Sequence, residues 1–452
     1  MLGIGVWCSR TRIGGVTDYL LAGRRLGVVM TGGAEYGFKF GASGVWYGVS
    51  TGVGLLMLGF LTAGRFRRLA LFTVPDYLAG RYGGKTIRVL GAVLSLVALV
   101  GILAAQVNAA GRAFAIMGLG GMAAPLVAVC VFIAYTTLGG LWAATLSDLI
   151  QLAIASVGVI AAGLVVVAGT ADSGGFVTLL QAKHVGPAFF NPVGEGPSFV
   201  LWLLLPTVMY TLIGQDFYQR LFAAKSARTA RTAAFAGGLF LVVVSVFPVL
   251  IGMGTRGLPT GDIRPDEALP WVLTEMMHPV VGGFILAAVL AAVMSTADSL
   301  LTAATSHVVK DIWLEALHSR GVEDERRLLG MSRWVTIAIG LCALLIGVSL
   351  PGIVTALIYS YTMYTAGVLV PVLGGVLWKR GTRAGAVCAV VAGSVVALAG
   401  LLARFEILGV PAEIYAALVS AVVFVGVSLV TTGGRGDAGH SRGVVTPRKF
   451  RG

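Results

Sequence analysis

The chain has 452 residues, of which 57% are hydrophobic and 12% are charged, and its mean hydropathy is +0.90. This composition excludes a water-soluble globule and predicts an integral membrane protein. The formal net charge is +13, but most of the 33 Lys and Arg residues lie in alternate connections between apolar runs. Because the positive-inside rule explains that pattern, we predict a lipid bilayer and no nucleic acid as the partner.

Continuous apolar runs predict an all-α polytopic fold with about eleven membrane-spanning helices, each near the ~20 residues that cross a hydrocarbon core. Continuous runs distinguish helices from the alternating strands of a barrel. One transmembrane domain over residues 1–432 is predicted, followed by a cytoplasmic basic tail, residues 433–452, without fixed structure. The predicted spans are 44–64, 87–118, 121–139, 141–169, 198–214, 229–254, 280–304, 332–350, 352–378, 384–403 and 411–432.

Residues 1–43 are predicted to hold shortened N-terminal helical segments. Residues 26–43 read LGVVMTGGAEYGFKFGAS, which as a helix covers about 27 Å, barely a membrane thickness. Glu35 and Lys39 make this segment poorly suited to contact with lipid. The positive-inside pattern nevertheless places Arg24 and Arg25 inside, so a crossing is required here.

Polar residues inside the second predicted span form the first candidate binding group. Gln106, Asn108 and Arg112 lie toward its outer half. Arg112 could hold a substrate carboxylate through two hydrogen bonds, or it could be an interfacial arginine whose charged end reaches water.

An acidic residue near the start of the 141–169 span is the next candidate. Asp148 lies in YTTLGGLWAATLSDLIQ, and no basic residue shares its span. It could belong to a cation route, or, with Ser147, it could stabilise the start of the helix.

Pro206 interrupts the apolar segment FVLWLLLPTVMYTLIGQ, which also contains the candidate substrate residue Tyr210. Proline removes an amide donor, so this span is predicted to be kinked or unwound. In transporters such breaks expose helix ends to substrate and ions, although an ordinary proline kink has the same sequence pattern. A short interfacial helix is expected within residues 255–279, with Trp271 as its anchor.

Hydroxyl groups and a carboxylate line one side of the apolar segment that contains VMSTADSLLT. At 100° per residue, Ser295, Asp298 and Ser299 fall within one polar stripe that should face the bundle interior. Oxygen ligands with few charges suit dehydrated Na⁺. The alternative is that each hydroxyl bonds to a carbonyl of its own helix while Asp298 pairs with a neighbouring helix. Cys8, Cys130, Cys342 and Cys388 have no metal-ligand spacing and predict neither a disulfide framework nor another metal site.

Several segments resemble the sodium:solute symporter family, whose members have the LeuT fold. They follow the order found in the family and cover most of the chain: DYLLAGRRLG, AEYGFKFGASGVWYG, FTVPDYLAGRYG, TTLGGLWAATLSDLIQ, GQDFYQRLFAAKSARTA and LAAVMSTADSLLTAATSHVVKDI. The resemblance implies two inverted five-helix repeats around a central site. It departs between Arg25 and Tyr36, where this chain is shorter and lacks most of the first core helix, which supplies carbonyl ligands to Na⁺ in the family.

The resemblance also implies the site residues. Ala292, through its carbonyl, and Ser295 and Thr296, through their hydroxyls, match the principal sodium site. Asp148, Asp298 and Ser299 match the region of a second cation site.

The function implied is sodium-coupled import of a small organic solute, such as an amino acid, a sugar or a carboxylate, by alternating access. The expected location is a bacterial cytoplasmic membrane, with a cytoplasmic C-terminus and a monomeric or loosely homo-oligomeric state. One alternative is a shortened, transport-deficient relative acting as a sensor or partner subunit, or a damaged gene product. The other is an intramembrane enzyme using Asp148 and Asp298, for which the sequence has no signature; we predict no enzymatic activity.

Overall fold

The computed structural model describes residues 23–69, 71–169, 176–177, 180, 185–258, 263–317, 325–349, 353–403 and 411–433. Side chains at positions 24, 25, 138–149, 223, 325, 355, 356, 359 and 433 are excluded from that description. The predicted segment ahead of residue 23, with Cys8, and the predicted tail beyond residue 433 lie outside the described residues.

The described residues form helices and connections without strands, as the apolar runs predicted. The helices are α1 (Gly23–Phe40), α2 (Val45–Leu58), α3 (Gly64–Arg68), α4 (Val74–Tyr82), α5 (Lys85–Ile116), α6 (Ala123–Gly169), α7 (Pro197–Thr211), α8 (Gln215–Ala223), α9 (Ala227–Val244), α10 (Val246–Gly257), α11 (Ala268–Trp271), α12 (Pro279–Ser306), α13 (Glu325–Ser349), α14 (Ile353–Leu377), α15 (Arg383–Ala403) and α16 (Ala412–Gly433).

Within this described part, ten helices are long and apolar enough to cross a membrane, and a shorter apolar helix, Ala123–Thr137, accompanies them. Together they overlap all of the predicted spans. One boundary was wrong: α6 continues through the break expected between residues 139 and 141, where no proline interrupts the backbone. The short helix expected within 255–279 is present as Pro265–Glu267, α11 and the π-helical turn Val272–Met276.

Helices α1 and α2 form an antiparallel hairpin, so the short N-terminal segment does make a crossing. Gly41, in the 3₁₀ turn Gly41–Gly44, has a φ of 61°, a conformation that favours glycine. The rings of Tyr36 and Tyr47 lie 6.0 Å apart across the hairpin. The crossing that Arg24 and Arg25 required is therefore one continuous helix.

Protein rather than lipid surrounds α1, which explains its unusual composition. Leu26, Val28 and Met30 are fully buried. Glycines let neighbouring backbones approach closely, and a Cβ atom on Gly33 would lie 3.0 Å from Cβ of Pro248 in α10. A segment poor in large apolar side chains can thus fill an interior position that it could not fill in contact with lipid.

The interruption predicted near Pro206 occurs later in the chain. Helix α7 passes through Pro206 and ends at Thr211, and α8 begins at Gln215. The carbonyl groups of Leu212 and Ile213 accept hydrogen bonds from Tyr218 Oη (2.7 Å) and Tyr364 Oη (2.8 Å). The helix break leaves these two carbonyl groups without helical hydrogen-bond donors. The tyrosine hydroxyls supply donors in their place, as a membrane interior requires.

The basic connections meet at one end of the bundle, here called the inner end, in agreement with the charge pattern. Lys85 Nζ donates to the carbonyl of Ala316 at 2.8 Å, and Arg81 donates to the carbonyl of Trp378 at 3.2 Å. Helix α16 also ends here, because Thr432 Oγ1 lies 3.4 Å from the carbonyl of Arg380. The opposite end is called the outer end.

Candidate functional site

Helix α12 carries the predicted sodium ligands and lies in the centre of the bundle. Val280 and Phe284, in its first two turns, are 74% and 61% exposed. By contrast, Leu300 and Leu301 are fully buried. The helix then continues as the π-helix His307–Leu317. The polar stripe therefore faces protein, as its position within an apolar span predicted.

The three predicted ligands of the principal sodium site are buried within one turn of α12. Ala292, Ser295 and Thr296 are 5%, 8% and 3% exposed. Thr296 Oγ1 donates to the carbonyl oxygen of Ala292 at 2.9 Å, so two of the candidate ligand atoms are neighbours. This bond agrees with the alternative raised from the sequence, in which each hydroxyl bonds to a carbonyl of its own helix. It leaves lone pairs on both oxygens, and a hydroxyl that donates a hydrogen bond can still coordinate a cation.

Helix α1 crosses α12 at the level of these ligands. A Cβ atom on Gly27 would lie 3.0 Å from the backbone nitrogen of Val293, the residue after Ala292. The close approach depends on the absence of a side chain at Gly27. The remaining first core helix thus lies beside the predicted ion site, where backbone carbonyls are expected from the family resemblance.

The second cation site is described in part. Ser299 is 7% exposed, and its hydroxyl donates to the carbonyl of Ser295 at 3.1 Å. Asp298 is half-buried. The side chain of Asp148 lies outside the described residues, so a site that includes it stays a prediction.

Arg112 is engaged with acidic residues at the outer end. Its Nε lies 2.7 Å from Oδ2 of Asp266, and its Nη1 lies 3.8 Å from Oε1 of Glu267. Neither sequence interpretation anticipated this pairing, because the partners belong to the distant segment Pro265–Glu267. In this structure Arg112 therefore already has carboxylate partners from the protein itself.

The remaining substrate candidates have different surroundings. Tyr210 is 1% exposed, and its hydroxyl donates to Oδ1 of Asp216 at 2.9 Å. Its ring centroid lies 4.8 Å from that of Tyr361. On α5, Asn108 is 7% exposed and Gln106 is fully buried. Tyr210 thus lies against Asp216 and Tyr361.

An inner charge cluster, consisting of Asp76, Arg88, His307, Lys310 and Asp311, was not anticipated from the sequence. His307 Nδ1 lies 2.7 Å from Oδ2 of Asp311, and both side chains are fully buried. Arg88 Nη1 lies 2.7 Å from Oδ1 of Asp76 and 3.6 Å from Oδ1 of Asp311. Lys310 pairs with Asp76. The i, i+4 spacing of His307 and Asp311 was the available sequence signal.

The charges around Asp76 determine its ionisation. Burial opposes the charged form, but the ammonium group of Lys310 and the guanidinium group of Arg88 outweigh it and hold the pKa of Asp76 below its usual value of 3.8. Asp76 also belongs to α4, whose start is capped by Thr73. The cluster thus joins α4, α5 and the π-helix that continues α12.

A buried carboxylate at the outer end links α1 to α14. Glu35 is fully buried, with Oε1 2.6 Å from Lys39 Nζ. Its Oε2 accepts a hydrogen bond from the backbone nitrogen of Ile353 at 3.0 Å. Ile353 begins α14, so Glu35 satisfies an amide at a helix start. The two charged residues that made this segment look unsuitable for a membrane therefore form an internal pair.

Comparison with known proteins agrees with this arrangement. The model of the sodium:solute symporter family matches residues 20–393. The chain is 26% identical over 425 residues to a high-affinity proline transporter of Bacillus subtilis (strain 168), covering 87% of this chain and 88% of that protein. It is 26% identical over 404 residues to the high-affinity choline transporter 1 of Caenorhabditis elegans, covering 78% and 67%.

A solved structure is similar along nearly the whole chain. It shows a Na⁺-coupled sialic acid symporter in a substrate-bound outward-open state, with a TM-score of 0.70, 18% identity and 95% coverage of both chains. At this identity the likeness shows a shared fold, and it confirms the LeuT-like fold predicted from the sequence. The family match extends over more than half of the sequence, and this multi-pass membrane protein, a transporter rather than an enzyme, therefore belongs to the sodium:solute symporter family.

Proposed function

We propose that this chain couples the downhill entry of Na⁺ to the import of a small organic solute by alternating access. The observation that carries the proposal is the burial of Ala292, Ser295 and Thr296 at the crossing of α1 and α12. Oxygen atoms held together in a low-dielectric interior can replace the water that a monovalent cation loses. The proposed ligands are the Ala292 carbonyl and the Ser295 and Thr296 hydroxyls.

A second cation position would use Asp148, Asp298 and Ser299. A carboxylate supplies the negative charge that stabilises an ion inside a membrane. Ser299 already bonds to Ser295, so the two proposed positions share a helical turn. Occupation of one would affect the geometry of the other.

The coverage of the relatives favours a working transporter over a shortened, transport-deficient one. A proline transporter matched over 88% of its length leaves little of that protein without a counterpart. The continuous α1 also supports this choice, because it brings a first core helix beside the predicted ligands.

The proposed setting is a bacterial cytoplasmic membrane, with the inner end and the C-terminus in the cytoplasm. The support is the gathering of the basic connections at the end where α16 finishes. The proposed state is a monomer or a loose homo-oligomer, since each element of the ion site comes from one chain.

The test is solute uptake by purified protein in proteoliposomes. L-Proline is a suitable first probe, with D-glucose, choline and sialic acid as further probes. An inward Na⁺ gradient should drive accumulation above the external concentration, and a sodium ionophore should abolish it. Equal uptake with Na⁺ and K⁺ gradients would contradict the proposal.

A further inference from the structure

Gln106 is a buried amide whose hydrogen-bonding atoms are not used by the fold. The residue is fully buried, and neither its Oε1 nor its Nε2 has a hydrogen-bond partner among the described residues. Leaving a buried amide without partners costs on the order of 1–3 kcal/mol for each unsatisfied group. Such a group is expected where a ligand completes the bonding.

The register of α5 against α12 shows where this amide lies. Ser95 Oγ is 2.9 Å from His307 Nε2 at the inner end. At the outer end, Met117 lines one cavity with Leu286 and Leu290. The two helices are therefore antiparallel neighbours along their length.

Counting from the inner contact relates Gln106 to the proposed sodium site. Gln106 follows Ser95 by about three helical turns, and Thr296 precedes His307 by the same length. Gln106 therefore lies on the same face of α5 as Ser95, and Thr296 lies on the same face of α12 as His307. Gln106 is thus at the level of Thr296 and on the side of α5 that faces α12. Both side chains are buried.

The chemistry of an amide distinguishes a solute from the ion. Na⁺ would satisfy Oε1 but would leave the donor Nε2 without an acceptor. A solute that carries both a donor and an acceptor satisfies both atoms. A zwitterionic amino acid and a sugar both meet this requirement.

The charges along α5 restrict the solute further. Arg112, less than two turns beyond Gln106, is paired with Asp266 and Glu267, and Arg264 is a second cation 3.5 Å from Asp266, so that these four charges sum to zero. Glu35 is likewise paired with Lys39. These pairs leave no net charge of their own to balance a charged solute, and an unbalanced charge in a membrane interior is costly.

From the amide, its register and these paired charges, we infer that Gln106 binds the transported solute beside the sodium site and selects a solute without net charge. The inference rests on the proposed transport function. It assigns Arg112 to holding the outer segment Pro265–Glu267 closed rather than to holding a solute carboxylate.

Binding of four radiolabelled probes to the purified full-length protein, with and without Na⁺, tests the inference. L-Proline is a zwitterion, D-glucose is uncharged, choline is a cation and sialic acid is an anion. We expect binding of proline or glucose and not of choline or sialic acid. Binding confined to a charged probe, or binding of neither neutral probe, would overturn the inference.

Two substitutions test the role of Gln106 directly. Gln106→Leu should weaken binding of the neutral probe about tenfold to a hundredfold, while Na⁺ binding measured separately stays within about twofold. Gln106→Glu should shift the preference toward choline, an effect that a structural role would not produce. Gln219→Leu makes the same chemical change on α8 and is the matched control.

The outcomes separate this inference from the proposed function. Sodium-driven uptake with an unchanged affinity in Gln106→Leu would overturn the inference and leave the transport function standing. Solute binding that depends on Gln106 but not on Na⁺ would support the inference and contradict sodium coupling. If Gln106→Leu does not fold, the altered charge preference of Gln106→Glu decides the question.

Discussion

Thr296 shows how one hydroxyl can serve both a helix and an ion site. Its hydrogen atom is used in the bond to the Ala292 carbonyl, which holds the two oxygens at a fixed separation. Its lone pairs stay available for coordination. Bonding within the helix and binding of Na⁺ are therefore compatible at this residue.

Replacing both hydroxyls tests the sodium ligands. Ser295→Ala combined with Thr296→Ala removes two of the proposed oxygens, and we expect sodium-stimulated uptake to fall at least about a hundredfold, because a dehydrated cation must recover its hydration energy from the remaining ligands. Uptake is measured in proteoliposomes over a range of Na⁺ concentrations. Ser306→Ala is the control, since Ser306 makes the same type of bond to its own helix. Unchanged uptake by the double variant would refute the assignment.

Asp76 should make a stabilising contribution that depends on pH. Since the pKa of Asp76 is lowered in the folded state, its contribution is present above the ordinary value of 3.8 and is lost as the pH falls through the lower folded-state value. Asp76→Asn should lower the melting temperature at pH 7, by an amount corresponding to about 3 kcal/mol. The difference from the unaltered protein should shrink as the pH approaches 3. Thermal melts in detergent between pH 3 and 7 check this, and a constant difference would contradict it.

At the scale of elements, α1 is a helix whose short length is offset by close packing. It has 18 residues and no interruption, whereas α7 and α8 are separated at Leu212–Gly214. The two corresponding helices of the inverted repeats thus differ. In the part of the chain that the structure describes, the second repeat has the broken helix, and tyrosine hydroxyls bond to its Leu212 and Ile213 carbonyls.

Gly27 tests whether the contact between α1 and α12 maintains the ion site. Gly27→Leu should push the helices apart, because even a Cβ atom would lie 2.9 Å from Cγ2 of Val293. We expect a loss of stability of about 1–3 kcal/mol and a raised half-saturation concentration for Na⁺. Thermal melts and Na⁺-dependent uptake measure the two effects. Gly426→Leu is the matched control, since a side chain there would meet open space, and equal behaviour of the two variants would argue against the crossing.

For the whole molecule, the charged residues separate into two ends that close the bundle differently. The inner charge cluster joins α4, α5 and the π-helix that continues α12, whereas Arg112 holds the short outer segment through Asp266. Alternating access requires that these closures open in turn. Among the described residues, the inner end has more ion pairs between separate elements than the outer end.

The orientation of the molecule can be measured in intact cells. In a variant whose four cysteines are replaced by serine, a single cysteine introduced by Ile263→Cys should react with a membrane-impermeant maleimide added outside. One introduced by Ser226→Cys should react only after permeabilisation, because Ser226 begins α9 within a basic connection. The reverse pattern would place the C-terminus outside.

The sequence by itself determined the spans and the side of α12 that faces inward. Hydropathy and the 100° helical repeat depend on local composition, so they predicted the overlap with the observed helices and the burial of Ser295 and Thr296. The family motifs likewise belong to the sequence. The shortened segment before Tyr36 was also visible, but its composition could not distinguish a helix surrounded by protein from a defective crossing.

Tertiary structure alone decided which polar residues are satisfied by one another. The partner of Arg112 lies more than 150 positions away in the chain, and the register of Gln106 against Thr296 depends on how α5 and α12 pack. Side-chain periodicity assigns a face to each helix but not the neighbour on that face. The burial of Gln106 is what points to a ligand, because an amide that water does not reach needs hydrogen-bond partners from the protein or from a bound molecule.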